Sequence, residues 1–318
     1  MASELRKDYI LDRWVIVSTS RSKRPHISGE QRVKYEGMCY FCPGNENLTP
    51  PETFRVEEDG KWIIRCFPNK FPAVSLTDGK SIKNLLTSKP AYGYHEIAVE
   101  TNEHDKDLGD LSVDHIVKVL EVYSKRINEI KKIKGIKYVL IFRNRGFEGG
   151  ASLEHTHTQI AGLSIVPALI EKEAKASKKY RNKKHRCPFC DIWKKEIKSK
   201  RRIFDDKHTV AFAPFASRFP CEVWIMPKRH LRSLDEMKIN EIRSFAKMLK
   251  DIIMRLNSKF GYPSYNFYFH IPPKEEDLHL HLELFPRMSK WAGFEFGSDI
   301  IINTTSPEIA AAFYRTGK

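Results

Sequence analysis

The sequence has little that would place the protein in a membrane or outside the cell. Its 318 residues contain no apolar run that approaches the roughly 20 residues needed to cross a bilayer, so a membrane-spanning protein is excluded. Residues Met1 to Arg6 lack the apolar stretch that opens a secretory signal. We therefore expect a cytoplasmic protein with no membrane partner.

Acidic residues are in the minority. The chain has 40 Asp and Glu against 55 Lys and Arg, a formal net charge of +15. Much of this excess lies between Lys172 and Arg202, in a run typical of a solvated helix or a linker. A basic excess of this kind is compatible with nucleic-acid binding and equally with a phosphorylated substrate.

Cysteines are scarce, yet four of the six are paired in sequence. Cys39 and Cys42 form one C-x-x-C, Cys187 and Cys190 form another, and the remaining two stand alone. In a reducing compartment such pairs are metal ligands or redox centres more often than disulfides. The residues around them resemble zinc-knuckle turns, so we favour metal over a redox function.

The segment Glu154-His-Thr-His-Thr-Gln159 is the most site-like part of the chain. It follows an apolar run and a glycine-rich loop, residues 144–150. If the segment is extended, side chains alternate between faces, and His155, His157 and Gln159 project in one row. An isolated H-x-H is equally typical of two solvated histidines, so its interpretation depends on the rest of the chain.

The second half of the chain repeats the order of the first. Each half has a C-x-x-C, a strand leading to a lone histidine, a helix, an apolar strand and an H-x-H. We match Glu222 and His230 to Glu96 and His104, because both pairs have the same spacing. Several features in one order indicate a tandem duplication. The predicted halves are residues 1–176 and 177–318.

The duplication assembles two candidate zinc shells, each with two thiolates, a lone histidine and the first histidine of an H-x-H. Because protein atoms fill all four positions, each would be a closed structural site. The predicted ligands are Cys39, Cys42, His104 and His155, and in the second half Cys187, Cys190, His230 and His279. Histidines without a counterpart are interpreted as surface residues: His95, His115, His185 and His208.

A zinc ion on His155 would hold the strand that carries His157. A neutral imidazole is a good nucleophile toward phosphorus. The Gln159 amide can donate to a phosphoryl oxygen, and Ser152 can help to stabilise negative charge. Glu283 stands where the second half would need that glutamine, and a carboxylate would repel phosphate. We expect the second half to have lost the chemistry and kept its metal.

Together these motifs resemble the galactose-1-phosphate uridylyltransferase family of the histidine-triad superfamily. The resemblance covers nearly the whole chain: Arg-x-x-Arg-Pro, C-x-x-C, Phe-x-Asn-x-Phe, Asn-x-Gly, H-x-H-x-Q and a Gly-Phe-Glu near the C-terminus. With the repeat, it implies an α+β fold of two histidine-triad-like halves, each an antiparallel sheet with helices on one side.

The resemblance implies a nucleotidyltransferase that moves UMP from UDP-glucose to galactose-1-phosphate by a ping-pong mechanism through His157. A nucleotide sugar and a hexose-1-phosphate would be its substrates. The hexose would meet Glu295, in the family often across a dimer interface, so a homodimer is expected. By match to the family's motifs, the phosphates would be surrounded by Asn144, Gly150, Ser152 and Gln159, and the nucleotide contacted by Arg21, Arg24 and Asn69.

The sequence departs from the family pattern in three places. Threonine fills both spacer positions of the H-x-H-x-Q, and Lys70 replaces an aspartate that many uridylyltransferases have near the nucleoside. The second C-x-x-C resembles plant ADP-glucose phosphorylase relatives instead. In familiar bacterial enzymes a different set of ligands binds the second metal. The matching residues in this chain are Glu173, His270, His279 and His281. Because His279 also belongs to the thiolate set, the two sets would compete for it.

Three alternatives stay open at this point. Within the family, the nucleotidyl group would be adenylyl, taken from ADP-glucose by a phosphorylase. In another class, the chain would be a zinc-stabilised nucleic-acid-binding protein with the lysine-rich segment as its contact surface. This alternative predicts that the affinity for nucleic acid falls steeply with salt concentration. A redox protein that uses its C-x-x-C pairs is the third alternative and the one we favour least.

Overall fold

The computed structural model describes residues 4–17, 38–77, 79–83, 85 and 88–317. These residues form helices and a large antiparallel sheet, which confirms the α+β prediction. No helix among them is both long enough and apolar enough to span a bilayer.

The strands and helices are numbered in chain order. The strands are β1 (Glu4–Lys7), β2 (Trp14–Val17), β3 (Phe54–Glu58), β4 (Lys61–Pro68), β5 (Gly93–Val99), β6 (Tyr138–Arg145), β7 (His157–Leu163), β8 (Arg202–Asp205), β9 (Thr209–Phe212), β10 (Val223–Pro227), β11 (Tyr265–His270), β12 (His281–Pro286) and β13 (Ile301–Asn303). The helices are α1 (Val113–Lys131), α2 (Ala168–Lys184), α3 (Pro188–Glu196), α4 (Ile239–Phe260), α5 (Gly293–Ser298) and α6 (Pro307–Thr316).

Ten of the strands form one continuous antiparallel sheet in the order β3-β4-β5-β7-β6-β11-β12-β10-β9-β8. Read outward from the central β6–β11 pair, the two sides have the same order, which is the topology expected of a tandem duplication. The two sheets predicted from sequence are therefore halves of one sheet. Strands β6 and β11 pair with each other, so neither is left as an unpaired edge strand.

Helices α1 and α4 pack on one face of this sheet. Their apolar stripes meet the side chains of β11 that point to this face: Tyr123 and Phe245 both contact Phe269, with ring centroids 6.3 and 6.0 Å away. A short turn, Leu108–Asp110 before α1 and Leu234–Glu236 before α4, repeats in the two halves. The main hydrophobic core lies between these helices and the sheet.

The opposite face of the sheet is covered differently in the two halves. In the second half, Phe189 of α3 packs on His281, with ring centroids 4.8 Å apart, and Glu173 of α2 bonds to His270. So α2 and α3 lie on the other face from α1 and α4. In the first half, a smaller apolar cluster around Phe41 occupies that face. The second half is therefore sealed where the first half carries the predicted site.

The basic segment between the halves is helical. It contains α2 and α3, and several of its cations pair with neighbouring acids: Lys178 with Glu276, Arg181 with Asp277 and Arg186 with Asp191. Residues 176 and 177 both lie inside α2, and the division of the chain at that point stays a prediction.

The N-terminal strands pack against the C-terminal part of the chain. Strand β2 pairs with β1 and, in parallel, with β13. The Arg6 guanidinium donates to the Phe215 carbonyl and to Glu308. Residues 4–17 therefore contact the second half, although the predicted boundary assigned them to the first.

Candidate active site and metal centres

The four predicted ligands of the first half meet at the end of β7. Cys42 Sγ lies 3.3 Å from His104 Nδ1, and both cysteine sulfurs lie 3.6 Å from His155 Nδ1. All four ligand atoms are within 4.8 Å of one another. A tetrahedral zinc site with the usual bond lengths has sulfur–nitrogen separations of roughly 3.5 Å, so the donor set fits zinc.

The thiolate set of the second half is also assembled. Cys190 Sγ lies 3.4 Å from His279 Nδ1 and 3.8 Å from His230 Nδ1, and Cys187 completes the group. Hydrogen bonds, above all from Cys190, lower the pKa of Cys187 to about 2, whereas burial and the nearby Cys39 raise the pKa of Cys42 to about 11. A bound cation would stabilise the thiolates of both clusters.

The outer nitrogens of three of these histidines are occupied. His155 Nε2 donates to the Thr101 carbonyl at 2.8 Å, and His279 Nε2 to the Pro227 carbonyl at 2.8 Å. His230 Nε2 lies 2.6 Å from Asp277 Oδ1. Such partners fix the ring so that Nδ1 faces the sulfurs, as metal-bound histidines require.

A third cluster, fully buried, consists of Glu173, His270, His281 and Glu283. It contains three residues of the alternative shell, but Glu283 takes the place expected for His279. The expectation that the two shells compete for His279 is therefore wrong, because the Nδ1 of that residue faces Cys190. The Cys187 set and the Glu173 set use different side chains.

His157 is held as a neutral imidazole, and its Nε2 has no hydrogen-bond partner in the part of the chain that the structure describes. Its Nδ1–H donates to the His155 main-chain carbonyl at 2.7 Å, which leaves the lone pair on Nε2. Burial, helped by the charge of Arg143, lowers the pKa of His157 to about 4. The side chain is 5% exposed and packs edge-on against Phe41, with ring centroids 5.3 Å apart. This arrangement suits a nucleophile.

The counterpart of His157 in the second half is inaccessible. His281 Nδ1 donates to the His279 carbonyl at 2.9 Å, which repeats the same tautomer. Its side chain is 0% exposed, and its Nε2 has no hydrogen-bond partner among the described residues. Phe189 and Trp224 cover the ring, with centroids 4.8 and 5.1 Å away. No substrate could reach this imidazole.

The strand register corrects one pairing made from sequence. Gln159 lies opposite Ile97, and Glu283 lies opposite Trp224, so Trp224 corresponds to Ile97. Glu222 therefore corresponds to His95 and not to Glu96. A shift of one residue in a strand moves a side chain to the other face, so this difference places Glu222 on the face of the predicted site.

The glycine-rich loop is fixed from the second half of the chain. Asn266 Nδ2 donates to Asn144 Oδ1 at 2.9 Å and to the Gly149 carbonyl at 2.7 Å. Gly146 has a φ of +70°, which favours glycine. The loop ends at Gly150 and the exposed Ser152. The predicted phosphate-contacting residues thus lie in β6 (Asn144), in this loop (Gly150 and Ser152) and in β7 (Gln159), the strand that begins at His157.

The predicted nucleotide and hexose contacts are placed only in part. Asn69 follows β4, and its N–H donates to the His95 carbonyl at 2.8 Å, while Lys70 beside it is exposed. Arg21 and Arg24 lie outside the described residues. Glu295 lies in the first turn of α5, where it accepts from the Ala292 N–H at 3.0 Å, and no contact between described residues joins it to His157.

Sequence reasoning missed three residues that support the site. His95, interpreted as a surface residue, is 6% exposed and bonds to Gln159. Arg143 is buried behind β7 and donates to the His157 carbonyl at 3.3 Å, and Asn266 holds the glycine loop. An arginine inside an apolar strand is a sequence signal of a buried ion pair. His95 and Asn266 carry no comparable signal unless the strand register is known.

Comparison with known proteins agrees with this geometry. The family described as "Galactose-1-phosphate uridyl transferase, N-terminal domain" matches residues 1–167, and a domain of unknown function, DUF4921, matches residues 91–312. ADP-glucose phosphorylase of Arabidopsis thaliana is 35% identical over 98% of this chain and 92% of its own length. Galactose-1-phosphate uridylyltransferase of Thermotoga maritima is 33% identical over 97% of this chain and 96% of its own length.

Solved structures give the same result. The crystal structure of an ADP-glucose phosphorylase from Arabidopsis thaliana with bound ADP-glucose has a TM-score of 0.86 at 31% identity, covering 99% of both chains. A structure described as that of a uridylyltransferase has a TM-score of 0.78 at 33% identity, covering 99% of this chain and 98% of the other.

Proposed function

The chain belongs to the galactose-1-phosphate uridylyltransferase family, and from that premise we propose that it transfers UMP from UDP-glucose to galactose-1-phosphate through a covalent intermediate on His157. The observation that carries the proposal is the hydrogen bond from His157 Nδ1 to the His155 carbonyl. It leaves Nε2 as an unprotonated, oriented nucleophile beside a glycine loop and an amide.

The reaction has two displacements at the same phosphorus. First, the Nε2 lone pair of His157 attacks the α-phosphorus of the nucleotide sugar; a phosphorus–nitrogen bond forms, the bond to the bridging oxygen breaks, and hexose-1-phosphate leaves. Then a phosphate oxygen of the second hexose-1-phosphate attacks the same phosphorus, and the phosphorus–nitrogen bond breaks. Splitting one transfer into two is the advantage of covalent catalysis.

Neighbouring groups stabilise the charge on the transferred phosphoryl group. The Gln159 amide, the Ser152 hydroxyl and the loop around Asn144 and Gly150 supply hydrogen-bond donors. Asn69 contacts the nucleotide, and we assign Arg21 and Arg24 to the same task. These assignments rest on the family motifs, supported for Asn144 and Gln159 by the pairing of β6 with β7.

Both thiolate sets would hold zinc as structural centres. Four protein ligands leave no open position, so zinc there would supply cross-links rather than an activated water. The first would join the Cys39 turn to β7 and so hold His155, whose carbonyl orients His157. The second would join α3 to β12 around Cys190 and His279.

A second candidate function within the family has its own support. The chain is 35% identical to ADP-glucose phosphorylase of Arabidopsis thaliana, and it has Lys70 where many uridylyltransferases have an aspartate. In this version, His157 attacks the α-phosphorus of ADP-glucose and takes AMP, and glucose-1-phosphate leaves. Inorganic phosphate then accepts the adenylyl group, and ADP is released.

The labelling of the protein by its donor substrate tests the proposal. Protein would be mixed with UDP-glucose or ADP-glucose carrying ³²P at the α-phosphorus, then denatured and counted. We expect labelled wild-type protein, no label on His157→Ala, and retained label on His281→Gln, a buried counterpart outside the reaction. Label from ADP-glucose alone would reject uridylyl transfer, and no label from either donor would reject the covalent mechanism.

A further inference from the structure

His95 lies between two hydrogen-bond partners that determine where its proton is. The Ala73 main-chain N–H donates to His95 Nδ1 at 3.1 Å, so this nitrogen is unprotonated. A neutral ring must then carry its hydrogen on Nε2, which lies 3.0 Å from Gln159 Oε1. His95 therefore donates to Gln159 and cannot accept from it.

This direction fixes the Gln159 carboxamide. A glutamine side chain has an oxygen that accepts and a nitrogen that donates, and either end can face a neighbour. Because His95 supplies a hydrogen, the oxygen must face His95 and the nitrogen must face away from it. Among the described residues the Gln159 nitrogen has no hydrogen-bond partner, and the side chain is half-buried on the same face of β7 as His157.

We propose that His95 is a positioning residue, which holds the Gln159 amide nitrogen toward the phosphate of the nucleotide donor. The inference rests on the proposed function. A reversed amide would place its oxygen against phosphoryl oxygens and repel them, whereas the fixed amide supplies a preorganised donor. His95 contacts no reacting atom, and its effect passes through Gln159.

The same imidazole fastens the segment that follows β4. The ring accepts from Ala73, and the His95 carbonyl accepts from Asn69 N–H at 2.8 Å. Residues 69–73, which include the predicted nucleotide contact, are thus joined to Gln159 through one residue, by its main-chain carbonyl and its ring. The position of this segment and the direction of the amide are set together.

The second half supplies an internal comparison. At the position of His95 it has Glu222, and at the position of Gln159 it has Glu283, with the buried Arg218 bonded to both carboxylates. The neutral pair His95 and Gln159 is thus replaced by two carboxylates that share an arginine, and this group has no amide nitrogen to donate. The half whose histidine is sealed has therefore lost both members of the pair.

Two substitutions separate the two hydrogen bonds of His95. In His95→Gln, the amide nitrogen can occupy the Nε2 position and still donate to Gln159. In His95→Asn, the shorter side chain reaches only the Nδ1 position, so Ala73 keeps an acceptor and Gln159 loses its donor. We expect His95→Asn to lower the single-turnover labelling rate roughly 10- to 100-fold with KM little changed, and His95→Gln to recover most of that loss.

A double-mutant cycle with Gln159→Ala identifies the route of the effect. If His95 acts through Gln159, His95→Asn should lower the rate no further in the Gln159→Ala background. Independent, multiplying effects would overturn the inference, as would wild-type rates in His95→Asn. Wild-type protein that takes no label would instead remove the proposed function, and this inference with it.

The tautomer of His95 can be measured directly in the wild-type protein, independently of any reaction rate. Long-range ¹H–¹⁵N spectra of the histidine rings distinguish the two neutral tautomers. We expect His95 to carry its hydrogen on Nε2, with the assignment made by its disappearance in His95→Gln. A hydrogen on Nδ1 would overturn the proposal, because the ring could then neither donate to Gln159 nor accept from the Ala73 N–H.

Discussion

The Nδ1–H of His157 donates to the main-chain carbonyl of His155 over 2.7 Å, so the orientation of the proposed nucleophile depends on a residue that faces two cysteine sulfurs. The same bond joins His281 to His279 over 2.9 Å in the second half. Both halves therefore prepare an imidazole in the same tautomer. Only the first leaves any of that residue exposed, 5% for His157 against 0% for His281.

Removal of one thiolate from either shell should remove one metal ion. We expect two zinc ions per wild-type chain and one in each of Cys42→Ser and Cys190→Ser, because a closed site needs all four ligands. The measurement is elemental analysis after dialysis against a chelator. Cys66→Ala is the matched control, since this buried cysteine belongs to neither cluster.

The same measurement separates the two candidate shells of the second half. If zinc lies among the thiolates, Glu173→Gln should keep both ions, and Cys190→Ser should lose one. The opposite pattern would assign the metal to the cluster of Glu173, His270, His281 and Glu283 and contradict our preference.

The buried ion pairs behind β7 should contribute strongly to stability. Arg143 bonds to Glu100 and Asp107, and both carboxylates are buried. Arg143→Leu would leave the buried Glu100 carboxylate without its cation, while Asp107 keeps Arg145 at 3.1 Å, so we expect a loss of roughly 3–5 kcal/mol in the free energy of unfolding. Urea denaturation provides the measurement.

The control for this substitution is an exposed pair. Arg243 bonds to Asp114 on the surface, with both side chains more than half exposed. Arg243→Ala should change stability by about 1 kcal/mol or less. Equal effects of the two substitutions would show that the buried network does not support the fold as argued.

The glycine loop should not tolerate a side chain at Gly146. A Cβ there would lie 2.1 Å from Ser264 Oγ and 3.1 Å from Ser264 Cα, in addition to the strain of a φ of +70°. Gly60 has a φ of +71° with nothing within 4 Å of its Cβ position, so Gly60→Ala reports the strain alone. We expect Gly146→Ala to be less stable than Gly60→Ala by roughly 1–3 kcal/mol.

The labelling rate should follow the same order. Gly146→Ala should slow labelling, because the loop carries the predicted phosphate contacts, while zinc content stays unchanged. Gly60→Ala, in the β3–β4 turn, should label at the wild-type rate. A Gly146→Ala protein with unchanged rate and stability would mean that the loop adjusts without consequence for the site.

Acidification should weaken the fold partly through His95. Burial lowers the pKa of His95 below its ordinary value of 6.5, with the bond to Gln159 opposing this. The unfolded chain therefore binds a proton at a pH where the folded chain does not. This contribution to stability is present above pH 6.5 and declines as the pH falls below it.

His95→Gln removes this titration and keeps the other groups. Between pH 7.5 and pH 5, the wild-type urea midpoint should fall further than that of His95→Gln. Parallel pH profiles would show that His95 is not held neutral by the fold.

Glu295 should act at the site of a partner copy. It lies in α5, no contact between described residues joins it to His157, and its hexose contact is a proposal that requires a dimer. Mixing inactive His157→Ala with inactive Glu295→Ala chains should restore roughly a quarter of wild-type activity, since random exchange gives one intact site in half of the dimers. No recovery after verified exchange would place Glu295 outside a shared site.

Much of the site could be predicted because its residues lie in short motifs that occur twice. The two C-x-x-C pairs and the two H-x-H segments, with one histidine between them, located both thiolate clusters. The alternation along β7 placed His157 and Gln159 on one face. These are local patterns, and a strand or a turn determines their geometry without long-range information.

What escaped prediction depends on register and on contacts between distant segments. His95 joins the site only because β5 pairs with β7 in one particular register, and the spacing used to match Glu222 with Glu96 was wrong by one position. The packing of residues 4–17 on the second half involves partners about 200 positions away, such as Phe215. No local pattern encodes such pairings.

The pairing of β6 with β11 has a consequence for how such a protein can change over time. Each of these strands is an interior strand only because the other lies beside it, and Asn266 reaches across the junction to the glycine loop. The second half, once it no longer had to catalyse a reaction, could therefore change its buried residues but could not be lost from the chain. Its loss would bare a strand edge open to aggregation and free the loop of the surviving copy.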